Sequence, residues 1–173
     1  MSFLQRLFGE TKQRAALMPL YRALVGIGRD PVWYRDGGVP DTLDGRFDIL
    51  AAITALALLR LEAEGEAGKV PSVLLTELFI EDMDGTLRQI GIGDYVVGKH
   101  VGRMVGALGG RLGAFREGLR AGSLAEAVDR NIFHEAPPSA ASVDFVARRL
   151  ESFSQNLTQI PVAALYDGKV PSP

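Results

Sequence analysis

The chain has 173 residues, of which 47% are hydrophobic, and its formal net charge is −2. This length and apolar content suit one domain with its own core, and the near-neutral charge argues against a duplex nucleic-acid binder, which is normally strongly basic. The chain has no cysteine, which excludes disulfides, thiolate metal sites and cysteine nucleophiles. Because it has only two histidines, a closed zinc site built from histidine is not available, and we expect no metal site. We also expect no cofactor.

Residues 1–14 form a short amphipathic segment, in which two leucines and two phenylalanines share one face. A two-turn helix is marginal alone, so this face either docks on the core of the domain or contacts a membrane surface. The longest apolar run, residues 49–59, is too short to cross a bilayer, which needs about 20 residues. The first residues also lack the long apolar region of a signal peptide.

Residues 14–29 are predicted to be an amphipathic helix, which Pro19 either starts or kinks. The connection that follows, DPVWYRDGGVPD, contains two prolines and two glycines, which predict irregular structure. It also carries the only tryptophan, Trp33, beside Tyr34. These aromatic side chains either pack beneath the connection or form an exposed recognition patch.

A long helix is expected after the connection, capped at its start by Asp41. Past Phe47 this helix is apolar nearly all round, as is typical of a helix surrounded by others. We therefore place a central apolar helix at about residues 42–62. Near its start, Arg46 and Asp48 either pair locally or face a ligand.

The next two helices carry charges of opposite sign. The first is expected to open at Pro71 or Ser72 and to carry an acidic group, Glu77, Glu81, Asp82 and Asp84. After a break at Gly91 and Gly93, the second carries a basic group, Lys99, His100, Arg103 and Arg111. If the two helices form an antiparallel hairpin, their charged edges face each other as ion pairs, or they orient a partner.

The second of these helices also has a ladder of glycines at every fourth residue: Gly98, Gly102, Gly106 and Gly110. Each glycine costs a helix roughly 1 kcal/mol relative to alanine unless something packs closely against it. The ladder therefore predicts either a crossing with another helix of the bundle or a shallow groove for a partner's helix. A second stripe of this helix, which includes Val105, Leu108 and Phe115, is expected in the core.

Towards the C-terminus, Ser123 and Glu126 predict a capping box, and Ser139 or Ser142 is expected to start a last amphipathic helix. No alternating pattern predicts a sheet. The predicted fold is therefore all-α, a single-domain bundle of six to eight helices. Its parts are the N-terminal segment at 1–14, the helical domain at 15–158, and a C-terminal strap with a frayed tail at 159–173.

No pattern in the chain identifies a reaction. The run from Asp82 to Gly85 has the glycine spacing wrong for a calcium loop and lacks its closing glutamate. There is no nucleophile elbow and no Walker-type phosphate loop. His100 is the one residue of the central region suited to proton transfer, and a lone histidine more often packs or hydrogen-bonds. We expect no catalytic residue, and the patterns alone predict a helical binding domain.

Two long strings, YRALVGIGRDPVWYRDGGVPDTLDGRFDIL and LTELFIEDMDGTLRQIGIGDYVVGKHVGRMVGALGGRLGAFR, resemble the ubiquinol-cytochrome c chaperone family. The resemblance covers about residues 20–115, with matching strings at 30–34, 45–48, 76–85 and 97–103. It implies a helical domain that is a non-enzymatic chaperone for cytochrome b during assembly of the ubiquinol-cytochrome c oxidoreductase (cytochrome bc) complex. Mitochondrial relatives carry a longer N-terminal targeting region, so we expect a bacterial, cytoplasmic protein, with peripheral contact to the inner membrane left open.

On this interpretation, cytochrome b or another subunit of the complex rests on the glycine ladder, and the charged edges orient it. The residues expected to contact the partner are Trp33, Tyr34, Arg46, Glu77, Glu81, Asp82, Asp84, Lys99, His100 and Arg103. The alternative is a lipid- or quinone-binding protein, or an enzyme, of isoprenoid or quinone metabolism. It predicts an enclosed cavity lined by Leu56, Leu59 and Met104. A third interpretation, a homodimeric scaffold, predicts a large apolar self-interface.

Overall fold

The computed structural model of the chain describes the backbone of residues 3–89 and 94–173, and the side chains of residues 12–86, 88–89 and 102–173. These residues form eight helices: α1 Phe3–Gly28, α2 Val32–Arg35, α3 Leu43–Glu62, α4 Glu66–Gln89, α5 Asp94–Ala121, α6 Ala125–Ile132, α7 Ala140–Thr158 and α8 Val162–Tyr166. The described part of the chain contains no strand, so the prediction of an all-α bundle is confirmed. No helix within it is both long and apolar enough to cross a bilayer.

Helix α3 contributes a continuous run of core side chains. Every residue from Ile49 to Leu58 is buried, and the helix packs against α1, α4, α5, α6 and α7. Its N-cap is Thr42, whose hydroxyl accepts a hydrogen bond from the amide of Gly45 at 3.1 Å. The prediction that Asp41 is the cap was wrong, because the extended residue directly before the first helical turn is Thr42.

Two other helix boundaries also differ from the prediction. Helix α4 begins at Glu66, so Pro71 lies inside it and does not open it. Gly65 has a φ of +63°, which turns the chain immediately before α4. Helix α1 begins at Phe3, so it joins the predicted N-terminal segment to the helix predicted at 14–29, and Pro19 lies inside it.

The connection after α1 contains a short helix, α2, that the proline and glycine content did not predict. Trp33 belongs to α2 and is 0% exposed. Its indole Nε1 donates to the carbonyl of Ile27 at 2.8 Å, and the guanidinium of Arg149 lies 5.3 Å from the ring centre. Of the two interpretations of these aromatic residues, packing beneath the connection is therefore correct for Trp33.

The start of α7 was predicted correctly, whereas the start of α6 was not. Ser139 caps α7 by accepting from the amide of Ser142 at 3.1 Å. Ahead of α6, the amide of Leu124 donates to the carboxylate of Glu151 at 2.7 Å, so α7 supplies the acidic group that the capping box assigned to Glu126. Beyond α7, helix α8 packs against α1 and buries Leu165.

Candidate functional site

An open cleft of about 700 Å³ lies where the end of α1, helix α2, the start of α3 and the end of α4 meet. Its apolar lining is Val25, Leu43, Phe47, Leu50 and Met83, and its polar and charged lining includes Arg29, Tyr34, Arg35, Asp41, Arg46, Asp82 and Thr86. Leu50 and Met83 are buried, whereas Leu43 is 46% exposed. The cleft therefore has an apolar floor and an apolar side chain at its solvent-facing edge. Three predicted partner-binding residues, Tyr34, Arg46 and Asp82, share it.

Two tyrosine hydroxyls hold the walls of the cleft. Tyr34 donates to the carbonyl of Gly28 at 2.7 Å, and Tyr21 donates to the carboxylate of Asp82 at 2.8 Å. Burial raises the pKa of Tyr34, and the guanidinium of Arg46 partly opposes that rise. Burial, reinforced by the hydrogen bond to Asp82, raises the pKa of Tyr21 further. Both phenols therefore stay protonated at neutral pH and act as donors that fix α1 against α2 and α4.

The arginines around the cleft differ in their partners. Arg46 pairs with Asp41 at 2.6 Å, not with Asp48, and Arg35 pairs with Asp36 at 2.7 Å. The hydrogen bond from Arg46 lowers the pKa of Asp41, so this carboxylate is ionised at neutral pH. Both pairs are exposed, and ion pairs at a surface contribute little to stability because water screens them. Arg29 forms no ion pair with any described residue.

The acidic residues of α4 have partners on more than one helix. Glu81 forms an ion pair with Arg14 of α1, and Asp84 pairs with Arg88 of α4 itself at 2.8 Å. Glu77 is exposed. Arg103 of α5 is exposed as well. Lys99 and His100 were also predicted to contact a partner, and their side chains lie outside the described ranges.

The glycine ladder faces solvent where the structure describes it. A Cβ atom built on Gly102, Gly106, Gly109, Gly110 or Gly113 meets no atom of the described residues within 4 Å, apart from its chain neighbours and the local helix backbone. The prediction of a helix crossing inside the bundle was therefore wrong for these glycines, and Gly98 lies outside the described side chains. Val105, which we expected in the core, is 42% exposed, whereas Leu108 and Phe115 are buried as predicted. We call this open surface from Gly102 to Gly113 the glycine face.

A buried charged cluster links α3, α5 and the segment after α6, and the sequence analysis did not predict it. Arg111 is 5% exposed and forms an ion pair with Asp48, whose other carboxylate oxygen lies 2.8 Å from Nε2 of the exposed His134. Arg111 also donates to the carbonyl of Asn131 at 2.8 Å, and its guanidinium lies 5.4 Å from the ring centre of Phe47. Burial raises the pKa of Asp48, although Arg111 and His134 oppose that rise. Asp48 and Arg111 are therefore buried between α3 and α5, and His134 covers them from the solvent side.

One sequence signal could have revealed this pair. Met104, Leu108, Arg111 and Phe115 follow one another at steps of four, three and four, which places the arginine on the core-facing side of α5. A buried arginine requires an acidic partner. Asp48 is the acidic residue at the start of the apolar run of α3, so it was the natural candidate.

The cavity that the alternative function predicted is not the cleft described above. Leu56 is 1% exposed within the core, and neither it, Leu59 nor Met104 lines the cleft. Among the side chains that the structure describes, no group of three or more histidine, aspartate or glutamate residues is placed to hold a metal ion.

Comparison with known proteins finds one matching family and a similar crystal structure. The family model for the ubiquinol-cytochrome C chaperone matches residues 35–170. The crystal structure of the Cbp3 homolog from Brucella abortus is similar, with a TM-score of 0.80 and 27% sequence identity over 99% of this chain and 97% of that one. Among curated proteins, none matches. The chain belongs to the ubiquinol-cytochrome c chaperone family.

Proposed function

We propose that this protein is a non-enzymatic chaperone that binds cytochrome b and promotes assembly of the cytochrome bc complex. Membership of the ubiquinol-cytochrome c chaperone family supports the pathway, and the similarity to the Brucella Cbp3 homolog over nearly the whole of both chains supports a shared fold. The proposal assigns the protein one activity, the holding of a polypeptide client. No residue in it has a catalytic role.

The glycine face is the observation that best supports a polypeptide client. Glycines within a helix each cost roughly 1 kcal/mol relative to alanine, and no residue whose side chain the structure describes packs against these. A helix face without side chains lets another backbone approach closely, as small residues do between helices in membrane proteins. From Gly102 to Gly113 this face is roughly 17 Å long, at 1.5 Å per residue. That length suits three turns of a client helix.

Charged residues near the face would set the orientation of the client. Arg103 lies on α5 beside Gly102, and Glu77 is exposed on α4, which packs against α5. Opposite charges at an interface govern register and association rate more than they raise affinity. Residues 99 and 100 remain predicted contacts on the same helix. Trp33 is fully buried, so it is no longer among the residues that we expect to contact the partner.

Site-specific photo-crosslinking tests this proposal. A photoreactive residue at position 81 on α4, or at position 103 or 106 on α5, is expected to give an adduct with cytochrome b in membranes that are assembling the complex. Gln155, which is exposed on α7 and lies outside the proposed surface, provides the matched control position. Failure to detect the adduct at 103, 106 and 81, or equal adducts at 155, would contradict the proposal. Deletion of the gene should also lower the amount of assembled cytochrome bc complex.

Contact with the inner-membrane surface is a separate proposal that rests on the sequence of residues 1–14. Their side chains up to Thr11 lie outside the described ranges. Liposome flotation before and after Phe3→Asp and Phe8→Asp tests it, because two charges on the apolar face should abolish membrane binding. Equal flotation of the variant and the parent protein would exclude a surface anchor in this segment.

A further inference from the structure

The cleft between α1, α2, α3 and α4 has features that the glycine face lacks. Its lining combines three arginines, Arg29, Arg35 and Arg46, with two aspartates, Asp41 and Asp82. Asp36 beside the cleft pairs with Arg35, so these charges balance, and Arg29 is the one arginine of the lining without an ion pair among the described residues. Below this charged rim lie the apolar side chains of Phe47, Leu50 and Met83. Such a combination suits a ligand with both an apolar part and a negative charge.

The rim has room for one more carboxylate. Arg29 is exposed and forms no ion pair with any described residue, although its guanidinium has five N–H donors. Arg46 and Arg35 are already bound to Asp41 and Asp36, but these pairs are exposed and weak, so an incoming carboxylate can compete for them. Arginine binds carboxylates well because its planar fork matches their two oxygens.

The two aspartates of the lining suit a ligand that also carries hydrogen-bond donors. Asp41 accepts from Arg46 and Asp82 accepts from Tyr21 through one carboxylate oxygen each, so each aspartate has a second oxygen that can accept from a bound group. The backbone amides of the polypeptide client in the proposed function are such donors. The exposed side chain of Leu43 at the edge offers an apolar contact that a partner side chain would cover.

We propose that this cleft binds a segment of the client polypeptide that carries an acidic side chain next to apolar ones. The carboxylate lies against Arg29, and the apolar side chain enters between Leu43, Phe47 and Met83. This inference rests on the proposed function, because it assumes a polypeptide client, but it places a second, sequence-selective contact away from the glycine face. The glycine face then accepts a client helix because the two surfaces fit in shape. The cleft selects a client segment that carries an acidic side chain.

Calorimetric titration of the purified full chain tests the selectivity. The probes are overlapping 15-residue peptides that cover cytochrome b from the same organism. The peptides that bind are expected to contain an aspartate or glutamate within a few residues of an apolar side chain. Replacing that acid by its amide should weaken binding about tenfold, which is the effect of losing one good charged contact. Binding that ignores the acid would overturn the proposal.

Variants of the protein show whether the cleft is the binding site. Arg29→Glu should weaken binding about tenfold, and a peptide with lysine in place of its acid should restore it. Arg22, an exposed arginine two turns earlier on α1 and outside the lining, gives the matched control Arg22→Glu, which should bind normally. Leu43→Asp should also weaken binding, and its exposed position allows the fold to persist. Unchanged binding by Arg29→Glu and Leu43→Asp would place the peptide elsewhere.

Two further outcomes separate this inference from the function on which it rests. If cytochrome b crosslinks to position 106 but the Arg29→Glu and Leu43→Asp proteins bind peptides normally, the chaperone proposal stands and the cleft proposal fails. If no position crosslinks and the chain binds none of the peptides, both fail. Titration with a short-chain ubiquinone and with phosphatidylglycerol vesicles completes the test. Binding of either probe that is lost in Leu43→Asp, without any peptide binding, would assign the cleft to a small amphiphile instead.

Discussion

Replacement of Arg111 by methionine is expected to lower the free energy of unfolding by about 3–5 kcal/mol, the cost of leaving one member of a buried ion pair without its partner. Arg111 is 5% exposed, and its removal leaves the carboxylate of Asp48 with the exposed His134 as its partner in the cluster. It also removes the hydrogen bond of 2.8 Å to the carbonyl of Asn131. Methionine fills most of the space, so the lost charge dominates over the lost packing. For a domain of this size each kcal/mol lowers Tm by about 2–4 °C, which gives a fall of roughly 6–20 °C.

Circular dichroism during heating measures the Tm of the variant and of the wild type. Repeating the measurement at several pH values tests whether Asp48 is the cause of the difference. Burial raises the pKa of Asp48, and without Arg111 that pKa rises further. A carboxyl whose pKa is raised in the folded state stabilises it at pH values below the unfolded pKa, near 4, and that contribution is lost as the pH rises through the folded pKa. The gap in Tm between the variant and the wild type should therefore widen as the pH rises from 4.

A surface arginine on the same helix provides the control. Arg116 pairs with Glu62 at 2.6 Å while both side chains remain partly exposed, so Arg116→Met should cost under about 1 kcal/mol. The double variant Arg111→Met with Asp48→Leu should recover most of the stability, because apolar residues often replace buried ion pairs without loss. A fall in Tm for Arg111→Met no larger than that for Arg116→Met would refute the reasoning.

Three other predictions concern stability. Thr42→Ala should cost about 1 kcal/mol in urea denaturation, because it removes the N-cap of α3; an unchanged midpoint would contradict this. Gly106→Ala should stabilise the free protein by up to about 1 kcal/mol, because the added Cβ meets no atom of the described residues within 4 Å. Gly118→Ala on the same helix should destabilise the protein, because its Cβ would lie 2.7 Å from a backbone oxygen. Equal effects of these two glycine variants would be inconsistent with an open face. Burial and Asp82 raise the pKa of Tyr21 above 10, so the stability that this residue contributes is present below pH 10 and is lost as the pH rises through the folded pKa. The wild type should therefore lose stability above pH 10 faster than Tyr21→Phe does, and parallel pH profiles would contradict this.

Helical periodicity was sufficient to predict the fold class and the cap of α7. It could not predict α2, because four residues between prolines and glycines carry too little pattern, and burial of Trp33 against Ile27 and Arg149 holds them in place. Periodicity also placed the glycines of α5 on one side. Whether a neighbour covers that side depends on how α5 docks on α3 and α4, and local spacing does not contain that information.

The candidate site was predicted in part. Tyr34, Arg46 and Asp82 were each selected for a local reason, yet they meet in one cleft only because α2, α3 and α4 converge there. Arg29 was missed, because a single arginine after the end of a helix looks like an ordinary surface residue. Asp48 and Arg111 are 63 positions apart, and their pairing depends on the packing of α3 against α5.

The burial of the single tryptophan has a practical consequence for spectroscopy. Trp33 is wholly enclosed where α1, α2 and α7 join, so its fluorescence reports that joint and no part of the solvent-facing surface. Emission should be blue-shifted in the native protein and move to longer wavelengths only when the joint opens. A client segment that contains no tryptophan should leave the emission maximum unchanged when it binds. A variant that no longer binds but keeps the native emission maximum has therefore lost binding while the fold around Trp33 persists.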